Sequence, residues 1–431
     1  MKNPHNVYMI GIGGIGMSAL AQLYVSRGVE VSGSDRSESP PTELLAAKGV
    51  NIMIGHDGCN IPANCDLVVY SDAIYPDNVE RIRATQMNIK QISYFEALGE
   101  ISQNMRTIGV SGTNGKTTTT GMLTKILHHA GKQPTAVIGS IVRDFESNYV
   151  QGNDELFVVE ACEYRDHMLK LTPEILLITN IELDHTDYFP TLESIQKSFK
   201  IAIDRVPAHG YIVTSVTDPI IAPLLIDAAA IVVDYMSETV PPLRLIGEFN
   251  MMNARAAKAT AKVAFADITE AIIDEALTDF KGSWRRFEYK GETAEGALVY
   301  DDYAHHPTAI TKTIQAARER FPGKRIVVAF HPHLYSRTKS LLPEFAEALS
   351  QADTTIIAPI YAARETHDPS VSNHILASLA IPLADEYGHE VFALDTFDEI
   401  RDRLLEESSG TLIITMGAGD IYKVADQIVQ E

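Results

Sequence analysis

Short apolar runs rich in β-branched residues alternate with stretches of helical period along the chain, and the alternation restarts twice after its first run. In the first series VYMIGIG, VEVSGSD and DLVVYSDA read as strands, with helices from about Met17 to Arg27 and near Thr42 to Lys48; the rhythm fades near Leu98. The second series begins with TIGVSG (Thr107–Gly112), runs through a helix to about Ala130, and returns to strands at LFVVEA, ILLITNI and GYIVTS. After Trp284 come ALVYDDYA, RIVVAFHP, TTIIAPIYA, EVFAL and TLIITMGAG, again separated by helical segments. Alternating strands and helices imply parallel sheets covered by helices, so the pattern predicts an α/β protein. Polar joints at SQNMR and GSWRR divide it into domains at residues 1–104, 105–285 and 286–431.

Length supports the division, because 431 residues exceed one ordinary core. An apolar fraction of 45% with 22% charged residues is ordinary for a folded chain. The net charge of −21 argues against wholesale binding to nucleic acid or to an anionic membrane. A nest of backbone N–H groups can still hold a phosphorylated ligand inside an acidic protein. The first residues lead directly into a strand without a signal-like pattern, and no apolar run reaches the roughly 18 residues of a membrane span, so a cytoplasmic location is expected. Cys59, Cys65 and Cys162 are odd in number and lack CxxC spacing, which points to reduced thiols. The oligomeric state is not legible.

Two glycine loops change the picture. Gly11, Gly13, Gly14 and Gly16 in GIGGIG follow a strand and open a helix, and Asp35 closes the next strand 19 residues after Gly16. Glycines there let a backbone approach a diphosphate, and the acid can bond a ribose hydroxyl; NAD, FAD and a UDP-sugar all fit, as does a plain packing turn. GVSGTNGKTTTT lies between strand and helix, where a phosphate cradle belongs. Val110 stands where the strict phosphate-loop pattern has its first glycine, and Gly109, Gly112 and Gly115 are the glycines present. Around them Thr113, Asn114 and Thr118 supply backbone N–H groups, Lys116 can reach the β- and γ-phosphates of ATP, and the Thr117 hydroxyl can coordinate Mg²⁺.

Strand ends elsewhere add matching chemistry. Glu160 ends LFVVE, and Asp184 and His185 follow ILLITNI, so Glu160 and His185 are candidates for the same metal site. DDYAHHP (Asp301–Pro307), HPHLYSRT (His331–Thr338) and MGAGD (Met416–Asp420) also follow strands. Adjacent His305 and His306 lack a third ligand at zinc spacing, which favours substrate positioning, and Arg337 could hold a carboxylate.

In their order and spacing, GIGGIGMSALA, SGTNGKTTTT, EACEYRDHML, TNIELDH, GEFNMMNARAA, WRRF, DDYAHHPTAI, HPHLYSRT and MGAGDI resemble the Mur ligases of peptidoglycan assembly over the whole chain. Within that family the combination looks most like the members that add L-alanine. The resemblance implies an N-terminal Rossmann-like domain for a UDP-sugar, a central P-loop-type ATPase domain with a mostly parallel sheet, and a C-terminal Rossmann-like α/β domain for ATP and the amino acid. It implies that ATP and Mg²⁺ are used to join L-alanine to the lactyl carboxylate of UDP-N-acetylmuramate through an acyl phosphate.

Carried over by position, Lys116 contacts ATP phosphates, Thr117 and Glu160 bind magnesium, and His185 binds a second magnesium ion. Asn250 and Asn253 lie near the adenine, Arg286 near the phosphates and Asp301 on the ribose. Gly11, Gly13, Gly14, Gly16, Asp35 and Ser71 hold the UDP-sugar, while His305, His306, His333, Tyr335 and Arg337 line the substrate end. Asn114 replaces a histidine common in the alanine-adding members, Leu334 replaces an arginine, and Phe199 stands where several relatives carry a modified lysine, leaving neighbouring Lys200 without a role. A sister ligase that adds a preformed tripeptide is the nearest alternative. An NAD-dependent oxidoreductase would explain only the first glycine loop. A folylpolyglutamate synthase-like enzyme would not need the first domain.

Overall fold

The computed structural model describes residues 4–430 except 187 and 364. Three sheets carry the chain. The first is wholly parallel, with β1 (Asn6–Ile10) at its centre, β2 (Glu30–Asp35) and β3 (Asn51–Ile54) on one side, and β4 (Leu67–Tyr70) and β5 (Lys90–Ser93) on the other. Every residue of β1 is buried, as a central strand covered on both faces requires. The strand order 3-2-1-4-5 places a topological switch beside β1, and GIGGIG occupies the turn after it.

The second sheet contains β6 (Arg106–Ser111), β7 (Thr135–Val142), β8 (Ser147–Val150), β9 (Leu156–Glu160), β10 (Ile175–Ile178), β11 (Tyr211–Thr214) and β12 (Ile231–Asp234). Its order is β12-β11-β10-β6-β9-β7-β8, parallel except for the β7/β8 hairpin. In the third, β13 (Glu288–Glu292) pairs antiparallel with β14 (Leu298–Asp302). From there β18 (Thr411–Met416), β15 (Arg325–Phe330), β16 (Thr354–Ile357) and β17 (Glu390–Ala393) follow in parallel. The chain is thus a three-domain α/β protein.

Helix starts are written locally. Ser93 and Glu96 form a reciprocal capping box on helix Tyr94–Ser102, and Thr396 with Glu399 does the same on Phe397–Leu405. The structure adds strands absent from the three expected series, namely β3, β5, β7, β8, β12 and β13.

By contact density the described residues fall into two compact units. One holds the first two sheets, with residues up to Asp184, Tyr188–Pro242 and Met252–Lys281; the other holds His185, Leu243–Met251 and the chain from Gly282 onward. Inside the first unit a continuous apolar core runs from Val7, Leu20 and Leu98 to Phe157 and Phe199. A buried polar zipper accompanies it: Asn148 Nδ2 donates to Ile15 O and Ser18 Oγ, and Gln22 Nε2 donates to Asn148 Oδ1.

Candidate functional site

Strand β6 ends in a loop whose shape requires glycine. Gly112 (φ +130°) has no room for a Cβ, which would lie 2.0 Å from Thr179 Oγ1, and one on Gly115 (φ +83°) would lie 2.3 Å from Asn253 Oδ1. The loop is braced by the segment after β10: Thr113 N–H donates to Asn180 O and Asn114 N–H to Asn180 Oδ1. Thr179 Oγ1 and Asn180 Nδ2 both donate to Asn114 O, and Asn114 Nδ2 reaches Glu182 Oε2. Asn114 therefore serves the loop's own architecture.

Helix Lys116–His129 follows, and its first N–H groups have no intrahelical partners. The threonine run is tolerated in a buried helix because Thr120 Oγ1 donates back to Lys116 O (2.8 Å) and Thr124 Oγ1 to Thr120 O (2.7 Å). Lys116 Nζ donates to Thr113 O and pairs with Glu163 at 2.9 Å. Burial alone would depress its ammonium, but Glu163, Cys162 and Glu160 outweigh that and hold it above the ordinary lysine range. Thr117 Oγ1 donates to Glu160 Oε1 (3.1 Å), and Gly139 N–H donates to Glu160 Oε2 (2.8 Å). Lys116, Thr117 and Glu160 are thus brought together at the ends of β6 and β9. Glu163, Thr179, Asn180 and Gly139 complete the cluster and were not singled out from sequence. The only signal for Glu163 was a second acid three residues beyond Glu160.

The first glycine loop is equally constrained. A Cβ on Gly16 would lie 2.6 Å from the Tyr94 ring, and one on Gly11 (φ +79°) 3.1 Å from Ser71 Cβ. Asp35 Oδ2 accepts from Gly13 N–H (2.8 Å), so this carboxylate fixes the loop. Gly14 meets only ordinary contacts.

The second unit gathers its residues at the ends of β14, β15 and β18. Asp301 is fully buried, with Oδ2 accepting from Arg285 Nε (2.8 Å) and Oδ1 from Thr415 Oγ1 (2.6 Å). Arg285, absent from the sequence-derived set, also donates to Gly417 O and Gly419 O. The Arg286 guanidinium lies 5.0 Å from the Tyr303 ring. His305 and His333 rings are 6.5 Å apart, His333 stacks on Tyr361, and Arg337 lies 3.5 Å from His333 Nδ1. His306 caps helix Pro307–Arg320, and Tyr335 packs edge-on against His367. Leu334 is buried, at φ +70°.

The remaining candidates divide between the units: Asn253 belongs with the phosphate loop, whereas His185 and Asn250 belong with the C-terminal sheet. Phe199 is buried and Lys200 pairs with Asp204 on its own helix.

His331 supplies a pH-dependent contact. Burial pushes its imidazole down to about 4, so the fold favours the neutral ring. The unfolded ring protonates near 6.5, so this contribution is present at neutral pH and lost as pH falls from 6.5 through about 4, up to about 3 kcal/mol. Asp302, pushed up to about 6 by burial, opposes it, because its contribution is present at low pH and lost as pH rises through 6. His331→Gln should therefore lose less of its urea midpoint than the wild type between pH 7 and 4.5. An equal or larger loss would remove His331 as the source.

The wound glycine loop, the phosphate loop with its paired acids, and three helix-covered sheets define a nucleotide-phosphate-using α/β enzyme. Models of the "Mur ligase family, catalytic domain", the "Mur ligase middle domain" and the "Mur ligase, glutamate ligase domain" match residues 6–106, 110–239 and 285–419. A UDP-N-acetylmuramate--L-alanine ligase of Lachnospira eligens is 37% identical, with 100% of this chain and 99% of that protein covered. The crystal structure of the UDP-N-acetylmuramate-alanine ligase of Thermotoga maritima superposes with a TM-score of 0.82 at 27% identity, covering 99% of each chain. A murein peptide ligase of Psychrobacter arcticus shares the fold, with a TM-score of 0.74 at 23% identity over 99% of this chain and 98% of that one. The chain belongs to the Mur ligase family. No described helix is long and apolar enough to cross a membrane.

Proposed function

We propose that this chain is an ATP-dependent ligase that joins L-alanine to the lactyl carboxylate of UDP-N-acetylmuramate in peptidoglycan precursor synthesis, in the cytoplasm. The observation that carries the reading is full-length similarity to ligases bearing that name in a chain whose phosphate loop is fully built. Residues 1–104 would take the UDP-sugar, 105–285 ATP, and 286–431 the amino acid and part of ATP. In the first step the carboxylate attacks the γ-phosphorus and ADP leaves; in the second the alanine amine attacks the acyl phosphate and phosphate leaves.

In this reading Lys116 and the loop N–H groups from Gly112 to Thr118 hold the phosphates, and their fixed positive charge stabilises the transferring phosphoryl group. Thr117 and Glu160 are hard oxygen donors that suit magnesium, which when bound supplies further charge neutralisation. His185 serves a second magnesium ion, Asn250 and Asn253 the adenine, and Arg286 the phosphates. Gly11, Gly13, Gly14, Gly16 and Ser71 receive the UDP-sugar, with Asp35 holding their loop. His305, His333 and Arg337 face the carboxylate-bearing end, with His306 and Tyr335 at its margin. The carboxylate of Asp301 is already engaged by Arg285 and Thr415, so we assign it to shaping the ribose end.

The test is phosphate release by the full chain with ATP, Mg²⁺ and UDP-N-acetylmuramate, comparing L-alanine, glycine, L-serine and the recycling tripeptide. Release and product that require L-alanine support the reading; turnover only with tripeptide moves it to a sister ligase. A finer prediction concerns Gly139, where a Cβ would lie 2.3 Å from Glu160 Oε2. Gly139→Ala should raise the Mg²⁺ concentration for half-maximal rate by about tenfold or more, since it displaces a ligand's support. An unchanged Mg²⁺ requirement would take Glu160 out of the metal site.

A further inference from the structure

The loops assigned above to ATP and to the UDP-sugar are joined by a contact that the reaction leaves without a role. Glu163, fully buried, pairs with Lys116 on the phosphate loop. Four residues later in the same segment, His167 Nε2 pairs with the Asp72 carboxylate, and the ring lies flat on Phe95, with centroids 3.6 Å and planes 12° apart. Asp72 follows Ser71, which packs against Gly11. A continuous physical path therefore runs from Lys116 through Glu163, His167, Asp72 and Ser71 to the first glycine loop.

The middle of that path is strained. Arg165 and Asp166 lie in succession at φ +51° and +60°, a region non-glycine residues avoid. The turn is held from outside: Tyr188 OH and Ser198 Oγ both donate to the Asp166 carboxylate, and Asp72 with Phe95 holds His167. A strained turn fixed by contacts at both ends is the kind of element that a ligand at either end can bias.

We propose that His167, paired with Asp72 and stacked on Phe95, is a positioning residue that couples occupancy of the ATP loop to affinity at the sugar-nucleotide loop. The inference rests on the ligase reading. ATP phosphates arriving at Lys116 compete with Glu163 for the ammonium, and Glu163 begins the strained turn that ends in His167. A turn already fixed by one ligand need not be fixed again by the second, so the coupling is positive and, by linkage, reciprocal.

The experiment is calorimetric titration of the full chain with UDP-N-acetylmuramate, with and without a non-hydrolysable ATP analogue and Mg²⁺, and the converse titration. In the wild type each ligand should tighten the other by about fivefold or more. In Asp72→Asn and His167→Leu that factor should fall to near one while each keeps its affinity for the analogue alone. His167→Gln, whose amide can still donate to Asp72, should retain part of it. Retained analogue affinity shows that a variant is folded, and Asp72→Asn, which alters a partly exposed carboxylate, keeps the test open if His167→Leu does not fold. A wild type without coupling, variants with undiminished coupling, or an equal loss of affinity for both ligands would each overturn the inference. Failure of the sugar-nucleotide reading is recognised separately, because UDP-N-acetylmuramate then does not bind the wild type at all, whereas a tripeptide-adding ligase would still bind it and leave the coupling measurable.

Discussion

Lys116→Met should cut phosphate release by roughly a hundredfold to a thousandfold, the cost of removing one preorganised donor from a transferring anion. It should also lower stability by about 3–5 kcal/mol, for a different reason: it strands the Glu163 carboxylate, which is fully buried, without its cation. The two effects separate in a double variant. Lys116→Met with Glu163→Gln leaves no uncompensated charge, so the urea midpoint should return most of the way to the wild-type value while turnover stays lost. Recovery of turnover with stability would mean that Lys116 acts only through the fold. A double variant as unstable as the single one would mean that the pair is not the source of the instability.

That pair also marks where sequence reading stopped. GVSGTNGKTTTT reads as a phosphate loop because a strand, three glycines and a lysine in that order have few other uses, and the structure places this turn between β6 and helix Lys116–His129. Glu163 was visible as a residue of EACEYRDH, but its full burial, which makes it the partner of Lys116, arises from long-range packing. Asp35 and Asp301 show the same limit in reverse. Asp35 reads as a ribose ligand from its place at a strand end and Asp301 from the family resemblance, yet Asp35 accepts from Gly13 N–H and Asp301 from Arg285 and Thr415. Strand-end position is legible in a linear pattern, whereas which donors already occupy a carboxylate depends on three-dimensional neighbours.

The fold divides along a similar line. Central strands such as Asn6–Ile10 and Arg325–Phe330 are buried along nearly their whole length and announce themselves as apolar runs. KQIS (Lys90–Ser93) and EYKGE (Glu288–Glu292) sit at sheet edges, keep polar residues, and form strands because a neighbour offers backbone partners. The chain pattern alone could not distinguish them from loops.

Arg285 is the residue for which this limit has the largest consequence. It sits at φ +59°, almost fully buried, and its guanidinium joins Asp301 to the carbonyls of Gly417 and Gly419. Arg285→Met removes all three bonds and should cost about 3–5 kcal/mol at neutral pH. Arg285→Lys should fall between, because an ammonium cannot reproduce the planar fork. The sign with pH follows from Asp301. Burial already raises its carboxyl above the ordinary range, with Arg285 opposing, so loss of Arg285 raises it further. A raised carboxyl contributes stability at low pH that is lost as pH rises through its folded value, and in the variant that loss extends nearer to neutrality. The urea midpoints of wild type and Arg285→Met should therefore converge as the pH falls from 7 towards 5, because a protonated Asp301 no longer needs a cation. Constant separation over that range would show that the cost lies in the two glycine carbonyls and not in the buried charge.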